Sequence, residues 1–159
     1  MLKENLTKLL NDQINKELFS AYLYLDIANY YTNNGYDGFA HWFNAQAKEE
    51  MEHAFKFIAY LQDNNFKVVL DGIANPTMTY KDLRQPLEES LKHEEYITTS
   101  INKIYSEAQV ANDFRTQEFL LWFIKEQGEE EKNASDLLVK FDLSGKNLMM
   151  MDHYLGKRQ

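Results

Sequence analysis

Four segments of the chain, roughly 5–33, 37–64, 83–111 and 113–141, each carry an apolar stripe at steps of three and four, and each stripe turns polar near its middle. Such spacing marks one face of a helix. The first stripe runs Leu6, Leu10, Gln13, Glu17, Ala21, Tyr24, Ala28, and the second Phe39, Phe43, Gln46, Glu50, His53, Phe57, Tyr60. The third runs Leu87, Leu91, Glu94, Ile97, Ile101, Ile104, Ala108, and the fourth Leu120, Phe123, Gln127, Glu130, Ala134, Leu137, Phe141. With only 2 Pro and 6 Gly in 159 residues, little interrupts helices of this length. Four long amphipathic helices bury their faces most simply against one another, so the fold expected is all-α, a four-helix bundle built as one domain over residues 1–159.

Punctuation sets the order of the helices. Asn33-Asn34-Gly35 ends the first segment, and Asp37 is placed to cap the second. Asp82 with Gln85 resembles a capping box before the third, and Asn112-Asp113 separates the third from the fourth. Gly145 follows the fourth, with a short tail helix expected from Ser144 to about Leu155. Short turns make each pair an antiparallel hairpin. A helix of about 28 residues is roughly 42 Å long, and the link of residues 65–81 can extend to roughly 56 Å. The link can therefore cross the whole bundle, giving up-down-down-up order, and its Val68-Val69-Leu70 and Ile73 are expected to pack against the helices as it crosses.

Counting from the turns puts the polar interruptions at one height. Glu17 lies 18 residues before Gly35, and Glu50 and His53 lie 15 and 18 after it. Glu94 lies 18 residues before Asn112, and Gln127 and Glu130 lie 15 and 18 after it. A shift of 77 maps Glu17 onto Glu94, Glu50 onto Gln127 and His53 onto Glu130, as a duplicated hairpin would. A single Glu on a helix is ordinarily solvated surface. Four at one level of a core, with no Lys or Arg on the stripes near them, must be protonated or bind cations. Two divalent ions cancel four negative charges. One imidazole among carboxylates suits Fe(II), Mn(II) or Zn(II), and Glu50-Met51-Glu52-His53 puts two ligands one turn apart on one face.

Composition narrows the chemistry. The absence of Cys removes disulfides, thiolate zinc sites and iron–sulfur clusters, and a net charge of -8 argues against coating nucleic acid. The start, Met1-Leu2-Lys3-Glu4-Asn5, lacks an apolar leader region, and the apolar run Phe119 to Ile124 is too short for a bilayer. The expectation is a soluble cytoplasmic protein without membrane or nucleic-acid partners. His41, His93 and His153 have no ligand partners at helical spacing and read as surface or packing residues.

Along essentially its whole length the chain resembles the bacterial non-haem ferritins of the ferritin-like di-iron superfamily. The resemblance rests on Glu17, Tyr24, Glu49, Glu50, His53, Glu94, Glu126, Gln127, Glu129 and Glu130, with Ser20-Ala21-Tyr22-Leu23-Tyr24-Leu25 and Glu129-Glu130-Glu131-Lys132-Asn133 as supporting text. It implies the ferritin-like bundle with one long crossover. It also implies one iron at Glu17, Glu50 and His53, a second at Glu94 and Glu130, Glu50 bridging them, and Gln127 nearby. A third iron would take Glu49, Glu126, Glu129 and the shared Glu130. Tyr24 either supplies an electron or packs the core with its hydroxyl hydrogen-bonded. The activity implied is ferroxidase: Fe(II) is oxidised by dioxygen or hydrogen peroxide and stored as ferric oxide-hydroxide inside a shell of twenty-four subunits. Bacterioferritins, the haem-containing alternative, have a second E-x-x-H where this chain has Gln127-Gly128-Glu129-Glu130; Met51 stands where they hold haem, and no haem is expected. Rubrerythrin-type peroxidases need a Cys-based module that a chain without Cys cannot build, and the small DNA-coating ferritins place their site between subunits. A ferritin-like peroxide-detoxifying protein and a purely structural shell component are the remaining alternatives.

Overall fold

The computed structural model describes residues 4–76 and 78–159; Met1 to Lys3, on which the leader reading partly rests, lie outside them. All regular structure among the described residues is helical: α1 Glu4–Asn33, α2 Asp37–Asp63, α3 Gln85–Val110, α4 Phe114–Ser144 and α5 Met149–Leu155. The expected bounds hold within two or three residues at most ends. α5 is shorter than expected, beginning at Met149 rather than Ser144.

One device closes the first three helices. Gly35, Asn65 and Asn112 take left-handed backbone, and the next residue returns its N–H to the carbonyl five positions back: Tyr36 to Tyr31, Phe66 to Leu61 and Asp113 to Ala108. Asn tolerates this conformation better than other residues with a side chain. Asp113 then opens α4, its carboxylate accepting from Thr116 N at 3.1 Å. The capping box expected before α3 does not close: the N-cap is Arg84, without a side-chain bond, while Asp82 accepts from Gln85 N at 2.9 Å and the Gln85 side chain accepts from Lys81 N rather than from Asp82 N. Asp37 does not cap α2. The N-cap position falls on Tyr36, without a side-chain bond, and Asp152 of α5 accepts from Phe39 N at 3.0 Å instead. The cap comes from a residue more than a hundred positions away, which no local pattern could announce.

Two apolar clusters fill the bundle. One gathers Leu6, Leu10, Phe57, Leu61, Ile104, Ala108 and Leu120, from the start of α1, the end of α2, the end of α3 and the start of α4. The other gathers Ile27, Tyr31, Phe39, Phe43, Leu87 and Leu137 from the opposite ends. This is up-down-down-up order, as expected from the link length. The link runs the length of α1, and Val68 of its apolar run packs against the first cluster as expected, while the rest of the run does not. Val69 and Leu70 are exposed, while Val68 and Ile73 are half-buried. The Asn11 amide bonds Lys67 O and Val69 N, the Asn15 amide bonds Asp71 O and Gly72 O, and Tyr80 stacks edge-on against Tyr30. Side-chain amides of the helix beneath thus take up backbone groups of the link that have no helix or strand to pair in.

The tail divides its apolar residues. Leu148, Met151 and Leu155 are buried against the bundle, and Met149 and Met150 are exposed. α5 approaches α2 so closely that a Cβ on Gly38 would overlap the Asp152 carbonyl. No helix among the described residues is long and apolar enough to cross a membrane.

Candidate metal centre

Between the two apolar clusters lies a polar belt to which all four long helices contribute. Glu17 is 0% exposed, Glu50 1%, Glu94 2% and Glu130 5%, with His53, Gln13, Gln46 and Gln127 also buried. Helical periodicity brings each to the inner face, and the antiparallel hairpins bring them to one height.

Three groups of side chains place ligand atoms within 4.8 Å of one another: Glu17, Glu50 and His53; Glu50, Glu94 and Glu130; and His53, Glu126 and Glu130. Glu50 is common to the first two, so these two groups share one carboxylate. His53 faces acidic groups on both sides. Its Nδ1 lies 3.1 Å from Glu50 Oε2 and 3.9 Å from Glu17 Oε2, and its Nε2 lies 4.0 Å from Glu126 Oε1. Trp122 and Phe123 hold the ring edge-on.

Three glutamine amides brace the carboxylates. Gln13 Nε2 donates to Glu17 Oε1 at 2.9 Å, Gln46 Nε2 to Glu130 Oε2 at 2.5 Å, and Gln127 Nε2 to Glu94 Oε2 at 3.0 Å. Tyr24, fully buried, donates its hydroxyl to Glu94. Gln127, expected near the irons, thus stands behind Glu94 as a donor, with further bonds to Glu94 O and Thr98. Gln13 and Gln46 sit on the inward stripes one turn before Glu17 and Glu50. Sequence reasoning placed them in the core without giving them this task.

The remaining acidic residues are spread further apart. Glu126 is half-buried and joins His53 and Glu130. Glu49 is half-buried and paired with Arg158 at 3.0 Å, and Glu129 is exposed; neither enters any of the three groups. His93 packs between Phe19 and Tyr24 with Nε2 2.6 Å from Ser20 Oγ.

Four carboxylates buried together resist ionisation. Burial pushes Glu17 well above the usual carboxylate range, with the Glu50 charge adding to it. Burial likewise raises Glu50, reinforced by Glu94 and Glu130, and raises Glu94. Glu130 is pushed up to about 8, by burial first and then by Glu94. Burial also holds the Tyr24 hydroxyl well above its ordinary value, so it stays a donor. Glu17 Oε2 is buried and finds no donor. An orphaned carboxylate oxygen inside a ring of like charges is what a bound cation would satisfy, so the donor set fits divalent metal.

A pH dependence follows for the ion-free protein. A carboxyl whose folded pKa is raised contributes stability that is present below its ordinary pKa and is lost as pH rises through the folded value. For Glu130 that window runs from 4.5 to about 8. His93, lowered from 6.5 to about 4 by burial, acts oppositely, losing its contribution as pH falls through that window. From 6.5 to about 8 the Glu130 effect is no longer opposed by His93, so the urea midpoint of metal-free protein should fall as pH rises across this range. Glu130→Gln should flatten the slope; a midpoint that climbs with pH would contradict the buried-charge account.

Comparison with known proteins agrees with this geometry. A profile of the Ferritin family, described as a ferritin-like domain, matches residues 7–144. The chain is 37% identical over 159 residues to a Haemophilus influenzae protein called "Probable bacterial non-heme ferritin-like protein", with 98% of this chain and 96% of that one covered. To a bacterial non-heme ferritin of Campylobacter jejuni it is 36% identical over 158 residues, covering 98% and 95%. Among solved structures, an open pore ferritin from the archaeon Archaeoglobus fulgidus superposes with a TM-score of 0.98 at 34% identity, covering 100% of both chains. With the family profile spanning most of its length and a crossover bundle around a buried carboxylate belt, this chain belongs to the ferritin family.

Proposed function

We propose that this chain is an iron-storage subunit whose carboxylate belt is a ferroxidase centre for paired Fe(II). The observation that carries the reading is Glu50, shared between two groups of ligand atoms. One Fe(II) is taken by Glu17, Glu50 and His53 and the other by Glu50, Glu94 and Glu130. Pairing meets an electron count: dioxygen accepts two electrons and two protons to leave as hydrogen peroxide, and each Fe(II) gives one electron to become Fe(III). Hydrogen peroxide, as the alternative oxidant, takes two electrons and two protons to give water. Hard carboxylates favour the ferric product. Gln13, Gln46 and Gln127 keep their N–H groups toward the carboxylates, leaving other carboxylate oxygens for iron. Tyr24 orients Glu94 through its hydroxyl.

A third site is part of the proposal, drawing on Glu126 and Glu130, with Glu49 and Glu129 on its outer side, and conducting Fe(III) away from the pair. The proposal extends to residues 1–159 acting as one unit, to assembly of many copies into a cytoplasmic shell holding ferric oxide-hydroxide, and to no resident haem. Exposed Met149 and Met150 are apolar surface suited to burial between copies.

Anaerobic Fe(II) titration followed by oxygen tests the reading, on material whose mass by light scattering exceeds one chain's. Saturation near two tightly held Fe(II) per chain, then oxidation faster than in buffer, is expected from the two adjoining groups. Oxidation at the buffer rate would overturn it.

A further inference from the structure

The amide of Gln46 is held from behind by a residue beyond the last helix. Gln46 Nε2 donates to Glu130 Oε2 at 2.5 Å and reaches Glu50 Oε1 at 3.4 Å, while its Oε1 accepts from Arg158 Nη1 at 3.0 Å. Arg158 is firmly seated. Nη1 also donates to Trp42 O at 3.0 Å, the guanidinium lies 4.3 Å from the centroid of the Trp42 ring, and Nη2 pairs with Glu49 at 3.0 Å. Its side chain is only 15% exposed.

A glutamine amide beside a carboxylate can present either end. Its oxygen turned inward would face Glu130 and Glu50, acceptor against acceptor once a bound cation has ionised them. A guanidinium has donors only, so Gln46 must turn its oxygen to Arg158 and its nitrogen to Glu130 and Glu50. Gln13 obtains the same orientation wholly inside the bundle. Its Oε1 accepts from Ser100 Oγ at 2.7 Å, and Ser100 in turn accepts from Lys16 Nζ at 2.7 Å. The two amides flank opposite sides of the centre, one braced by the bundle and the other by the tail.

We propose that Arg158 is a positioning residue of the metal centre: by holding Gln46 Oε1 it fixes the amide that orients Glu130, which belongs to the Glu50–Glu94–Glu130 group and not to the Glu17 group, so the tail following α5 sets the geometry of one of the two cation sites. The proposal rests on reading the belt as a paired cation site. It assigns the dependence to the Glu50–Glu94–Glu130 side, while Glu17, with Gln13 behind it, is braced independently of the tail.

Co(II), which does not undergo the ferroxidase reaction, is the probe. Its two binding steps are followed by visible absorption on the full chain, in the wild type, Arg158→Ala, Gln46→Leu and the double variant. Arg158→Ala should weaken one Co(II) step roughly tenfold, the usual effect of losing a partner behind a ligand, and leave the other step in place. The double variant should bind no more weakly than Gln46→Leu alone, because Arg158 acts through Gln46. A merely structural role for Arg158, pinning the tail on Trp42, would make the losses add. Unchanged Co(II) binding in Arg158→Ala, or additive losses, overturns the proposal while the paired centre stands. A wild-type chain that binds no Co(II) overturns the centre and the latch together.

Discussion

Replacing Glu50 by Ala should slow Fe(II) oxidation at least about 100-fold, since even partners behind metal ligands cost about 10- to 100-fold when removed. The loss is larger than for any other single carboxylate because Glu50 alone belongs to both principal ligand groups. His53→Ala, by contrast, leaves the Glu50–Glu94–Glu130 group intact and should spare part of the second site. The fold should survive. In the ion-free protein Glu50 is a buried carboxyl opposed by Glu94 and Glu130, so its removal relieves repulsion even as it costs packing and the His53 contact. Stopped-flow absorbance on first mixing with Fe(II) and oxygen reads the rate, and circular dichroism reads the helices. Wild-type initial rates in a folded Glu50→Ala protein would end the case for the centre.

Gly38→Ala should be the most damaging small change outside the belt. At an ordinary helical position Ala gains up to about 1 kcal/mol over Gly. Here the added Cβ overlaps the backbone carbonyl of Asp152, which no side-chain rotation can clear. Forcing the fit costs about 1–3 kcal/mol or more. Releasing α5 instead exposes Met151 and Leu155, about 1.5–3 kcal/mol each, and removes the Asp152 cap from Phe39 N. Either route outweighs the helix gain. The net loss should be a few kcal/mol, seen as a lower urea midpoint, with a tail newly open to protease. Stability at or above wild type would mean that α5 does not pack on Gly38.

The belt was legible because its geometry is arithmetic. Glu17, Glu50, His53, Glu94 and Glu130 each interrupt a periodic stripe, and equal counts from two turns place them at one level whatever the details of packing. Gln13 and Gln46 were visible as stripe residues, yet a glutamine on a stripe carries no mark of the way its amide will turn. The direction of Gln46 depends on Arg158, which lies 112 residues away and off every stripe.

Sequence by itself therefore determined the four long helices, the crossover and its direction, and the carboxylate level, since all follow from periodicity, breakers and chain length. Tertiary structure alone decided what the tail does. Asp152 rather than Asp37 caps α2, Gly38 is pressed by α5, the Asn11 and Asn15 amides hold the link, and Arg158 reaches Gln46 and Glu49. These contacts join residues distant in sequence one pair at a time. Such contacts have no period, and they exist only once the helices have packed and brought their ends together.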